Sequence, residues 1–143
     1  MRQAVLAAER VQMTFTSANS HLEALAEATF AVMPNEFVCI IGPSGCGKST
    51  LLRILGGLVR PTSGCVLLNG RPLEHPRREI GFVFQRANLM PWRTALRNVM
   101  LPLEIEGLPR AEAEARAREF LTLVGLEDFA EAWPRDLSGG MQQ

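Results

Sequence analysis

The spacing of apolar residues changes along the chain, and each change marks a different expected element. Residues 4–16 alternate loosely, with Val5, Leu6, Val11, Met13 and Phe15 apolar, which predicts a strand. Residues 25–32 mix Leu25, Phe30 and Val32 with alanine and glutamate, so they read as a second strand or, on propensity, as a helix. A polar turn is expected at 17–20, and another at Met33-Pro34-Asn35-Glu36, where Asn35 tolerates a left-handed conformation. The run Phe37-Val38-Cys39-Ile40-Ile41 is apolar throughout, as is Ile80-Gly81-Phe82-Val83-Phe84; both predict strands buried on two faces. Cys65-Val66-Leu67-Leu68 is a short strand, closed by Asn69-Gly70, a hairpin signal.

After Gln85 the spacing turns helical. Residues 96–106 predict a helix interrupted by Pro102. From Arg110 to Val124 the residues Ala113, Ala117, Phe120, Leu121 and Val124 fall on one helical face, with Pro109 suited to the start and Gly125 to the stop. Glu112–Arg116 and Glu114–Arg118 are i,i+4 pairs on the charged side. Two domains follow: residues 1–85, a core with an antiparallel β part, and residues 86–143, a helical subdomain.

The most specific chemistry lies between the first apolar run and the helix that follows it. Gly42-Pro43-Ser44-Gly45-Cys46-Gly47-Lys48-Ser49-Thr50 spells a glycine, four residues, then Gly-Lys-Ser, in a strand–turn–helix context. Glycines let successive N–H groups point at one anion, and the helix beginning near Lys48 adds its positive end. Lys48 can reach terminal phosphates and the Ser49 hydroxyl can coordinate Mg²⁺, so the loop is expected to bind a nucleoside triphosphate.

Composition adds exclusions. Fifteen basic and fifteen acidic residues in 143 give a formal net charge of zero, which offers no footprint for nucleic acid. No apolar run approaches the ~20 residues that cross a bilayer, and Glu9 and Arg10 cut the run after Met1-Arg2-Gln3 too short for a signal peptide. Cys39, Cys46 and Cys65 lack metal-binding spacing and fit a reducing compartment. Cys46, in the phosphate loop, is expected to be the most reactive thiol and to be shielded by ATP, with Cys39 protected inside a strand. His21 and His75 match no motif.

The chain closes on Leu137-Ser138-Gly139-Gly140-Met141-Gln142-Gln143. With the phosphate loop and the Gln85 of Phe-Val-Phe-Gln, this resembles the ATP-binding subunits of ABC transporters, whose signature reads LSGGQ or LSGGMQQ, from about residue 4 onward. Leu89-Met90-Pro91-Trp92-Arg93-Thr94, Arg97-Asn98-Val99 and Val124-Gly125-Leu126 look like the nitrate, sulfonate and taurine importers. The implied fold is an α/β P-loop NTPase of the ABC type: a mixed β-sheet around a phosphate-binding helix, plus a helical subdomain, incomplete at the C-terminus.

The resemblance implies roles for matched positions. Phe15 would stack on adenine, or else be a plain core residue. Gly42, Pro43, Ser44, Gly45, Cys46, Gly47, Lys48, Ser49 and Thr50 would hold ATP, with Ser49 and Gln85 at Mg²⁺ and with Lys48 and Gln85 as the catalytic-site residues. Ser138, Gly139, Gly140 and Gln142 would face the nucleotide of a second subunit in a head-to-tail dimer. Residues 88–100 would receive transmembrane permease subunits on the cytoplasmic face of the membrane, with Trp92 an interface anchor or a packed indole, and a solute-binding protein acting indirectly. The family continues past the signature into an apolar strand ending in Asp-Glu. Glu127-Asp128 follows a helix end and is no substitute, so the 143 residues are expected to lack the catalytic carboxylates and to be inactive in hydrolysis. Alternatives are a non-hydrolysing nucleotide-binding fragment or a soluble, non-transport ABC protein.

Overall fold

The computed structural model describes residues 3–17 and 20–143, so the start of the chain and the middle of the turn expected at 17–20 lie outside the described residues. The chain divides into two compact units, residues up to Phe82 and residues from Val83 to Gln143.

The first unit is built on a four-stranded antiparallel sheet in the order β2-β1-β3-β4, comprising β1 (Leu6–Ser17), β2 (Ser20–Val32), β3 (Ser63–Leu68) and β4 (Arg71–Pro72). Pairing settles the strand-or-helix ambiguity of residues 25–32. β1 runs against β2 from Leu6↔Val32 to Ser17↔Ser20, and the gain from a long ladder outweighs the helical preference of alanine and glutamate. Arg10 takes a left-handed φ of 47° where the register of β1 slips against both neighbours, a bulge that no sequence signal announced. Asn69 and Gly70 both have positive φ, 50° and 75°, as the tight β3–β4 turn requires.

Helix α1 (Lys48–Leu55) lays Leu51, Ile54 and Leu55 on Ala8, Val11 and Met13 of β1 and Val66 of β3. That i,i+3,i+4 spacing makes one apolar stripe, and the contact supplies the core. α1 ends in a Schellman motif: Gly57, at φ 71°, donates to the Ile54 carbonyl and Leu58 donates to that of Arg53.

Two expected strands are not formed as ladders. Residues 37–41 and 80–84 run without regular pairing, and Phe37 and Ile41 are 91% and 93% exposed. An apolar run signals burial on two faces, but a strand needs neighbours to take its N–H and C=O groups. The described strands pair only among themselves.

The second unit packs helix α2 (Ala95–Ile105) on helix α3 (Arg110–Leu123). Leu96 and Met100 meet Ala113, Ala117 and Leu121, with Ala130 completing the cluster; the small alanines let the helices approach closely. α2 runs unbroken through Pro102, contrary to the interruption expected there. The lost N–H bond is offset by the buried α2 side chains, and helical bonds resume beyond it, with Glu106 donating to the Pro102 carbonyl at 3.0 Å. The apolar face of α3 is also narrower than its spacing implied. Phe120 and Val124 are 52% and 65% exposed and border an open apolar cavity of about 590 Å³ with Leu137 and Met141. Both i,i+4 pairs form, at 2.8 and 2.9 Å. The last element, α4 (Gly139–Gln142), is a single turn.

Candidate nucleotide-binding site

The phosphate loop emerges from the unpaired 37–41 segment and turns at Ser44-Gly45 into α1. Gly47 decides its path. It sits at φ 89°, and a Cβ there would run into the carbonyl oxygen of Ala24 on β2, so the loop is pressed against the sheet where no side chain fits. Gly47→Ala is therefore expected to cost about 1–3 kcal/mol of stability. Gly45→Ala has the same backbone strain (φ 84°) with nothing within 4 Å, and is expected to cost about 1 kcal/mol. Denaturant unfolding followed by circular dichroism separates the two; equal losses would rule out the collision.

Lys48 folds back into the loop. Its Nζ donates to the Gly42 carbonyl at 2.9 Å and to the Pro43 carbonyl at 2.6 Å, and lies 3.7 Å from the Cys46 sulfur. No carboxylate pairs with it among the described residues, so its charge is met only by neutral dipoles. A polyanion suits such a cradle: one cation, a glycine-rich turn and a helix N-terminus converge on it. Ser49 and Thr50 follow in the first turn of α1, Ser49 exposed. Phe15, 46% exposed on β1, lies two residues beyond Met13, whose partner Leu25 borders the Gly47 position. Its exposure favours a contact surface over a core role.

The other expected site residues belong to the second unit. Gln85 is exposed in the irregular segment before α2. Ser138 caps α4, its Oγ accepting from the Met141 N–H at 3.4 Å, and a Cβ added at Gly139 or Gly140 would meet open space. Gln142 is turned inward: its Nε2 donates to the Pro134 and Leu137 carbonyls at 2.8 and 2.9 Å, which holds the preceding turn in place. No group of three or more His, Cys, Asp or Glu among the described residues could hold a metal.

Asn98 was legible only as one letter of a resemblance, yet it organises the 90–94 segment. Its Oδ1 accepts from the Met90 N–H at 2.7 Å, while its Nδ2 lies within hydrogen-bonding reach of the Met90, Arg93 and Thr94 carbonyls. Trp92, held in that segment, is 68% exposed, which rules out the packed indole.

The thiols need one correction. Cys39 is exposed, because its segment is not a paired strand, so it lacks the protection expected of it. Burial first, and then the Glu9 carboxylate 3.7 Å from its sulfur, push the Cys65 thiol above its ordinary range. Alkylation near neutral pH should label Cys39 and Cys46 well before Cys65, and ATP should shield Cys46 alone. Peptide mapping reads this directly, and equal protection of Cys39 would refute the assignment of Cys46 to the nucleotide loop.

A glycine-rich loop with its lysine, leading into a helix that packs on a sheet, defines a P-loop nucleotide-binding protein of the α/β class. Residues 25–143 match the family model described as ABC transporter, and the chain belongs to that family. It is 47% identical to an uncharacterized ABC transporter ATP-binding protein of Methanocaldococcus jannaschii, over 96% of this chain and 52% of that protein. It is 46% identical to the taurine import ATP-binding protein TauB of Pseudomonas aeruginosa, with the same coverages. With the methionine import ATP-binding protein MetN of Cereibacter sphaeroides it shares 43% identity, over 98% of this chain and 42% of that one. Among solved structures, a dimeric post-hydrolysis ATP-binding cassette bound to ADP and Pi superposes with a TM-score of 0.83 at 37% identity, covering 96% of this chain and 65% of the other. The fold is thus that of an ABC ATPase cassette, and the chain spans about half the length of the curated relatives it matches.

Proposed function

We propose that this chain is the ATP-binding part of an ABC importer's energising subunit, acting at the cytoplasmic face of the membrane. The observation that carries the reading is the Lys48 ammonium lodged among the Gly42 and Pro43 carbonyls, with no carboxylate partner among the described residues, at the head of α1. Loop N–H groups of residues 42–50 and Lys48 would grip the phosphates, and Phe15 would stack on the base. Mg²⁺, bound with ATP, would supply neutralisation of the phosphate charge. Ser49 and Gln85 offer the oxygens to hold it, and Gln85 also suits orienting the attacking water.

Ser138, Gly139 and Gly140 would address the nucleotide of a second subunit, as dimeric relatives of the same fold suggest. Gln142 supports that turn from behind through the Pro134 and Leu137 carbonyls. Residues 88–100 would meet permease subunits, and the solute, delivered by a separate binding protein, would be of the nitrate, sulfonate or taurine kind. The TauB relatives support that class, although a methionine importer is nearly as similar. No described helix is long and apolar enough to cross a membrane, which suits a subunit that docks on one.

Calorimetric titration of the chain with Mg-ATP tests the reading. Saturable binding of one nucleotide per chain is expected, and no heat at millimolar ATP would refute it.

A further inference from the structure

Two neighbouring glutamines at the end of α4 direct their side-chain amides to backbone carbonyls, and in different directions. Gln142 Nε2 donates to the Pro134 and Leu137 carbonyls at 2.8 and 2.9 Å. Gln143 Nε2 donates to the Phe84 carbonyl at 2.6 Å, across 59 positions of the chain. In each case an accepting carbonyl belongs to the residue immediately before a proposed site residue: Leu137 precedes Ser138, and Phe84 precedes Gln85.

That placement has a mechanical consequence. A peptide unit is planar, so holding the Phe84 carbonyl also fixes the direction of the Gln85 N–H and narrows the positions open to the Gln85 side chain. Residues 83–88 belong to no helix or strand, so no regular ladder does this for them, and Gln85 itself is exposed. A glutamine suits the task by chemistry as well as by reach. Its amide carries two N–H donors, whereas a glutamate of the same shape carries none at neutral pH. Ser138 begins the same single turn that Gln143 ends, its Oγ accepting from the Met141 N–H at 3.4 Å. One turn of helix therefore joins the serine of the closing motif to the residue that holds Phe84.

We infer that Gln143 is a positioning residue for Gln85: its amide sets the Phe84–Gln85 peptide so that the Gln85 side-chain oxygen is presented to Mg²⁺ and the attacking water. The inference rests on the role proposed for Gln85, and it adds the residue that holds Gln85 in place. An exposed hydrogen bond between neutral groups is modest in strength, so Gln143 raises the population of the presenting conformer and does not create it.

The full 143-residue chain, labelled with nitrogen-15, is compared by NMR with Gln143→Glu, which keeps the shape and loses the donor. A hydrogen bond at a carbonyl shifts the nitrogen resonance of the following residue, so the Gln85 amide reports on the Phe84 acceptor. That signal is expected to move in Gln143→Glu, while the signals of α2 and α3 stay in place, because residue 143 is exposed and outside both helices. Calorimetry then gives the ratio of the affinities for ATP with Mg²⁺ and with EDTA. Gln85→Ala and Gln143→Glu are each expected to lower that ratio about three- to tenfold, and the double variant to lower it no further, since both act through one oxygen. Gln143→Glu should leave the affinity measured in EDTA unchanged.

An unmoved Gln85 amide in Gln143→Glu would overturn the inference. So would additive losses in the double variant, or an equal loss of affinity with and without Mg²⁺, which would make Gln143 a general support of the fold. A ratio that falls in Gln85→Ala but not in Gln143→Glu refutes the inference alone and leaves the nucleotide reading standing. Absence of any ATP binding refutes the nucleotide reading, whereas the amide signal, recorded without nucleotide, still decides whether Gln143 holds the Gln85 peptide.

Discussion

Lys48→Ala is expected to weaken ATP binding about ten- to a hundredfold, since a hydrogen bond to a charged group contributes about 1.5–3 kcal/mol. The structure sharpens this expectation in two ways. Lys48 points into the loop, so its charge is already held at the proposed phosphate site. The carbonyls it touches belong to exposed residues, so water replaces the lysine when it is removed, and no buried group is left unpaired. Affinity should fall while the thermal transition of the nucleotide-free chain moves little. Calorimetry with Mg-ATP beside a circular-dichroism melt checks both; unchanged affinity would remove Lys48 from the site, and a collapsed melt would make its role structural.

Residues 1–143 by themselves are expected to hydrolyse Mg-ATP at least about a hundredfold more slowly than the same residues joined to the second half of the P. aeruginosa taurine import relative. In-line attack needs a positioned water, a Mg²⁺ clamp and a group to take the water's proton. In the proposed site Lys48 and Ser49 would provide part of the clamp, and Gln85 would orient water but could not accept its proton at neutral pH. The acidic residues nearest the signature, Glu127, Asp128, Glu131 and Asp136, lie in or beside short 3₁₀ turns, and Glu131 is engaged with Arg118. Pairing of residues 37–41 and 80–84 with added strands should accompany the gain, read as increased protection of their amides from hydrogen exchange. Comparable phosphate release by both proteins would mean that the general base lies within these 143 residues.

Local signals carried a good part of this protein. Asn69-Gly70 specified a hairpin because only residues tolerant of positive φ make that turn. Gly125 stopped α3 through the Schellman geometry that its missing Cβ permits, donating to the Thr122 carbonyl while Leu126 donates to that of Leu121. The phosphate loop was legible because its chemistry is written in consecutive residues, and so was the family. What depended on distant partners was not legible. Residues 25–32 became a strand because β1 lies alongside, and residues 37–41 did not become one because the described strands pair elsewhere. Phe120 and Val124 face a cavity instead of the core, since periodicity marks a face but not what covers it. Asn98 showed its hydrogen bonds only once the 90–94 segment folded over it. Gln143 meets the Phe84 carbonyl, 59 positions away, only because the two segments fold together. Sequence by itself determined the turns, the helix ends and the nucleotide loop, whose physics is local. Tertiary structure decided which apolar faces and side-chain amides found partners, because burial and pairing are properties of neighbours in space.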